Sequence, residues 1–277
     1  MKALKTLAIA LVSLLTLPGI ASAQSWQALK HPASFAANTA LLLTDGTVMV
    51  QDSGPGNGGG TNHWWRLTPD AKGSYVNGTW SKLASMSSSY GPLYHTAAVL
   101  PDGRVLIEGG EYNFGNQVET NQGAIYDPVK NKWTSVNPPS GFSQIGDAPS
   151  VILSNGTLLM GDAFGTDAVL FNAKALKWTP TGTGKIDIFA EEGMTLQRDG
   201  TVLVVDTENG THAEKYIPST GKWVSAASTI VLLPSNDGQG IVPELGPAVL
   251  RPDGTTFAIG ATHHTAIYHP PVKPTQP

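Results

Sequence analysis

The stretch AIYDPVKNKW, residues 124–133, decides the fold because its shape returns. LFNAKALKW (170–178) and KYIPSTGKW (215–223) repeat it. In each, an aromatic residue stands seven positions before a tryptophan: Tyr126 and Trp133, Phe171 and Trp178, Tyr216 and Trp223. A spacing kept three times around so rare a residue marks an internal repeat. A repeat sets architecture before any local propensity does.

A second series interleaves with the first. Five apolar runs break at a tight turn: ALLLTDGTVMV (40–50), AAVLPDGRVLI (97–107), SVILSNGTLLM (150–160), MTLQRDGTVLV (194–204) and AVLRPDGTTFAI (248–259). Asp-Gly or Asn-Gly between apolar runs is a strong hairpin signal, because glycine accepts positive φ. After each hairpin comes a third extended run (HWWRLTP, GAIYDP, AVLFNA, AEKYIP, TAIYHP), and in four units a fourth opening at Trp80, Trp133, Trp178 or Trp223. The spacing therefore predicts an all-β chain of five four-stranded antiparallel repeats, each about fifty residues, which is the blade of a β-propeller. The Trp is expected to wedge between blades as core. The three Asn-Gly-Thr triplets at Asn77, Asn155 and Asn209 are read as turns.

The ends bear on closure. Residues 1–23 carry Lys2 and Lys5, an apolar run and Ala21-Ser22-Ala23, the pattern of a secretory signal peptide rather than a membrane span. Residues 24–270 are expected to form the propeller and 271–277 a Pro-rich tail. SWQALKHP offers a Trp strand (Trp26) with no hairpin before it, while position 275, seven past Tyr268, is Thr. Pairing Trp26 with the last repeat would close the ring. An exported periplasmic or extracellular monomer is the expectation. Without Lys2 and Lys5 the chain has 15 basic and 21 acidic residues, with no basic cluster to suggest nucleic acid. Absence of Cys removes disulfides, thiolate metal sites and thiol nucleophiles.

The double glycine of IEGGEYN (Gly109-Gly110), followed by Tyr126 and Trp133, resembles the kelch repeat. The chain is similar to bacterial exported kelch-type propellers of the galactose-oxidase-like superfamily. It departs from them in keeping the double glycine once and in having five repeats where six or seven are usual. A shortened relative of a larger ring is the alternative. The resemblance implies, among enzymes, a sugar isomerase or lyase or a copper radical oxidase. The last needs a Cys linked to Tyr, which this chain lacks.

Counting from each turn glycine collects side chains on the face opposite the turns. Tyr94, His95, Asp147, Glu191 and Glu192 fall eight or nine before it, and Asp162 and Asp206 six after. Glu111 and Tyr112 lie in the long loop GEYNFGNQVETN. Long loops on a rigid scaffold commonly carry function. These nine residues are the candidate ligand-binding set, with Trp64 and Trp65 as a secondary stacking site. The reading is a glycan- or protein-binding face and leans away from catalysis. The alternatives are acid–base chemistry by Asp147, Glu191, Glu192 and His95, or a truncated paralogue without function. No cofactor is expected; Ca²⁺ is the one ion the carboxylates would suit. His63, His212 and His264 share a register, but on third strands away from the axis, so loop capping is preferred to a metal site.

Overall fold

The computed structural model describes residues 25–55, 59–235 and 244–273. The predicted signal segment and the last four residues of the predicted tail lie outside them. The described residues contain strands and turns and no helix, hence none long and apolar enough to cross a membrane.

The strands form repeated antiparallel sheets, with members in chain order. Sheet one comprises Ala37–Leu42, Val48–Asp52, Trp64–Thr68 and Thr79–Lys82. Sheet two comprises Thr96–Val99, Val105–Glu108, Gly123–Asp127 and Lys132–Val136. Sheet three runs Ser150–Ile152, Leu158–Gly161, Ala168–Asn172 and Lys177–Thr181. Sheet four runs Thr195–Leu196, Val202–Val205, His212–Ile217 and Lys222–Ser228. Sheet five has three strands, Ala248–Leu250, Thr256–Ile259 and Thr265–Tyr268. A small extra sheet joins Pro92–Leu93 to a hairpin of Tyr112–Asn113 and Asn116–Gln117 within the long loop. First strands of successive sheets lie side by side, which arrays the sheets around their inner edges.

The hairpin turns are built alike. In sheet one, Gly46 N–H donates to Leu43 O at 3.0 Å, and Leu43 N–H to Thr47 O at 2.9 Å. The same pair of bonds recurs at Leu100, Leu153, Gln197 and Arg251. Asp45, Asp102, Asn155, Asp199 and Asp253 each accept the N–H two residues on. Only the glycine has positive φ, 78–89° across the five. The turns are therefore type I with a left-handed glycine bulge, one residue longer than a two-residue hairpin.

The aromatic spacing is cross-strand pairing: Tyr126 opposite Trp133, Phe171 opposite Trp178, Tyr216 opposite Trp223, with Leu67 opposite Trp80. The tryptophans of sheets two and three reach back to the preceding unit. Trp133 Nε1 donates to Ala84 O at 2.9 Å and Trp178 Nε1 to Asn137 O at 3.0 Å. The apolar clusters lie at the seams between consecutive sheets: one–two around Met49, Trp64 and Tyr126, two–three around Leu106, Ile145 and Phe171, three–four around Phe189, Val204 and Trp223.

Closure by the N-terminal strand is corrected. Trp26 is fully exposed, and residues 25–36 form no strand. The segment instead rides on sheet one. Lys30 N–H donates to Val76 O at 2.8 Å, His31 Nδ1 lies 2.9 Å from Gly78 O, and Trp80 Nε1 donates to His31 O at 3.0 Å. These bonds already satisfy the groups a strand would use, and Pro32 has no N–H to continue a ladder. Among the described residues no hydrogen bond or apolar cluster joins sheet one to sheet five, and sheet five has no fourth strand.

Candidate functional site

The face opposite the hairpin turns brings five predicted residues together. The strand-entry segments supply Tyr94, Asp147 and Glu191; the long loop supplies Glu111 and Tyr112. Glu111 is tied down by its N–H to Tyr94 O at 3.0 Å. The Tyr94 and Tyr112 rings meet edge to face at 6.0 Å. Gly109 and Gly110, with φ of 74° and 133°, let this loop pass close over the next unit, where Gly110 N–H donates to Gly146 O at 2.6 Å. A Cβ on Gly109 would strike that same carbonyl.

The Asp147 and Glu191 carboxyl groups lie close enough for each to act on the other's charge. Burial first, then the charge of Asp147 and that of Glu244, push the Glu191 carboxyl up to about 7. Burial also raises Asp147. Glu111 and Glu119 are raised by burial and then by the Asp147 charge. This is the response of like charges gathered in one place. Glu119 was not among the candidates. The loop hairpin folds it back, with its N–H on Glu111 O at 3.1 Å, and only the loop's acidity hinted at it. Tyr94, Glu119 and Ala190 have positive φ of 51°, 45° and 27°, as do six other non-glycine residues spread along the chain.

The remaining candidates go elsewhere. His95 is held in the interior. Gln51 donates from Nε2 to Thr61 O and Pro92 O, so its Oε1 faces His95 Nε2 at 3.0 Å, and His95 donates from that nitrogen. Burial lowers its pKa to about 4, which keeps it neutral and unsuited to acid–base work near neutrality. Asp162 caps its own turn, accepting Phe164 N–H at 3.0 Å. Trp64 and Trp65 point to opposite sides of their strand. Trp64 is buried with Nε1 on Met86 Sδ at 3.0 Å, and Trp65 is covered by Phe35, stacked at 4.8 Å. Neither offers a free stacking surface. A cleft of about 560 Å³ between the outer strands of sheets one and two, lined by Ser87, Tyr90, Gln122 and Trp133, has no carboxylate among its lining residues.

Glu192 and Asp206 turn inward, into a closed ionic group of sheet four. Lys185 Nζ, itself inaccessible, donates to Glu192 Oε1 at 3.0 Å, Glu214 Oε2 at 2.8 Å and Asp187 O at 3.1 Å. It also lies 4.9 Å from the Phe189 ring centre and 5.6 Å from that of Trp223. Glu214 accepts the N–H groups of Ile186 and Asp187. His212 Nδ1 meets Asp206 Oδ2 at 2.6 Å and its Nε2 meets Ser225 Oγ at 3.1 Å. The three register histidines therefore do not converge on one point. Lys185 had no sequence signal: it is a single cation in a loop, and only the fold shows its partners.

No family model matches the chain, and no curated protein matches it. Solved structures do. Virginiamycin B lyase from Staphylococcus aureus is 14% identical, with TM-score 0.53 over 89% of this chain and 74% of that one. A streptogramin B lyase structure is 10% identical, with TM-score 0.56 over 86% and 67%. YjhT is 16% identical, with TM-score 0.55 over 82% and 72%. At such identities the likeness shows the fold alone, and that fold is a β-propeller.

Proposed function

We propose that the protein is an exported recognition module, a propeller of kelch type, that binds a glycan or a protein segment over the channel mouth. The observation that carries this is the Asp147–Glu191 carboxyl pair, brought together where the chain enters sheets three and four, with Glu111, Glu119 and Glu244 near enough to interact with it by charge. Such a ring accepts hydrogen bonds from hydroxyl or amine donors. The Tyr94–Tyr112 pair supplies an aromatic edge beside it.

A glycan array probed with the purified chain, with and without calcium, tests this reading. The double variant D147N/E191Q is expected to lose the binding found while its melting midpoint stays level or rises, because like-charge repulsion is relieved. Undiminished binding by that variant moves the site off this face.

A second reading, acid–base catalysis by the same pair, is favoured by one observation. A carboxyl held at about 7 is matched to proton transfer near neutrality. Lyases stand among the fold neighbours, but that likeness extends to the fold only. Turnover of a bound glycan, abolished by E191Q alone while binding persists, would select catalysis.

A further inference from the structure

The closed ionic group of sheet four is unbalanced. Four carboxylates, Asp187, Glu192, Asp206 and Glu214, face two basic side chains, Lys185 and His212. However the bases are charged, at least two of the four carboxylate charges have no cation to balance them, in a region where Glu192 and Asp206 have no accessible side-chain surface. Uncompensated charge at such depth is costly.

The excess has a location. Glu192 Oε2 and Asp206 Oδ1 are buried and have no hydrogen-bond partner among the described residues. Lys185 cannot serve them: its three protons go to Asp187 O, Glu192 Oε1 and Glu214 Oε2. His212 cannot either, because both its nitrogens are engaged by Asp206 Oδ2 and Ser225 Oγ. Asp187 Oδ2 accepts Glu208 N–H at 3.0 Å, which leaves its other oxygen for a further partner. One carboxylate oxygen from each of Asp187, Glu192 and Asp206 lies within 4.8 Å of the others. Oxygens sharing one calcium ion at 2.3–2.6 Å stand at most about 5 Å apart. Thr207 Oγ1, on the next residue, is another buried oxygen without a partner among the described residues.

We propose that Asp187, Glu192 and Asp206 bind a hard divalent cation of the calcium class, enclosed within sheet four as a structural ion. The donors are all oxygen, which selects Ca²⁺, Mg²⁺ or Mn²⁺ over softer metals. A divalent ion would supply positive charge where the carboxylates lack it. Asp187, which keeps 6% of its surface exposed, is the side from which an ion would enter. This site is separate from the mouth pair and stands whether or not that pair binds a ligand.

The test uses the purified chain after EDTA treatment. Adding CaCl₂, MgCl₂ or MnCl₂ should raise the melting midpoint by roughly 5–10 °C once the ion reaches about a hundredfold its Kd. Tb³⁺ should show emission sensitised by Trp223, whose ring adjoins the group. E192Q and D206N should lose both responses, and D147N/E191Q should keep them. If one variant fails to fold, elemental analysis of the untreated protein still decides, with one ion per chain expected. The proposal is overturned if no ion up to about 10 mM, beyond the Kd of weak natural calcium modules, shifts the midpoint. It is equally overturned if E192Q keeps the response and D147N/E191Q loses it, since the mouth then holds the ion. Protons on Glu192 and Asp206 would in either case be the balancing charge.

Discussion

Glu191 makes the protein's stability depend on pH. Folding raises its carboxyl from 4.5 to about 7. A group raised in this way contributes stability that is complete below about 4.5 and lost as pH climbs through about 7. E191Q is neutral at every pH. Its melting curve should be flatter than the parent's over that window, and above it the variant should be more stable by on the order of 1–2 kcal/mol, allowing for screening of a half-exposed group. Parallel curves in a pH series of thermal melts would refute this. The sequence could place Asp147 and Glu191 because both stand nine residues before a turn glycine. It could not separate Glu191 from Glu192. The two close a turn, with Glu192 N–H on Phe189 O at 2.8 Å, and within it one carboxyl faces the mouth while the other meets Lys185 from seven residues earlier in the same loop.

At the scale of the element, two tryptophans with one sequence signature should behave oppositely. Trp133 packs on Tyr126 at 5.0 Å and Trp64 at 5.6 Å and donates to Ala84 O. W133A should cost about 3 kcal/mol, the low end for a buried aromatic because the ring is half-buried, and lower the single unfolding transition by roughly 6–12 °C. W26A should move it by less than about 0.5 kcal/mol, since Trp26 touches solvent all round. Calorimetry of the pair decides; equal losses would mean that residues 25–31 pack as a true fourth strand. The hairpins were legible because Asp or Asn, then Gly, encodes one turn with local bonds alone. The N-terminal strand was not, because a strand signal names no partner, and here the groups were taken by the turn around Val76 and Gly78.

Across the whole molecule, stability is graded along the chain. The seam between sheets two and three holds thirteen buried residues, whereas the two clusters between sheets four and five hold three each. Hydrogen exchange should therefore release the amides of Thr256–Ile259 and Thr265–Tyr268 first and those of Val105–Glu108 and Leu158–Gly161 last. Uniform protection across the sheets would show a single cooperative unit instead. The fold class was readable at this scale because every unit repeats the same local code. Ring closure was not, being a property of the two ends together.

Those seams have a consequence for how such a chain can change over evolution. The seams from sheet one to sheet four share one pattern of aromatic wedge and inner-strand contact, and no common centre has to be refilled when a unit is gained or lost. A duplicated unit would find at its new borders the same surfaces it left behind. Growth by copying whole units then needs no coordinated change elsewhere, while the mouth loops, which the wedges do not touch, are free to diverge in each copy.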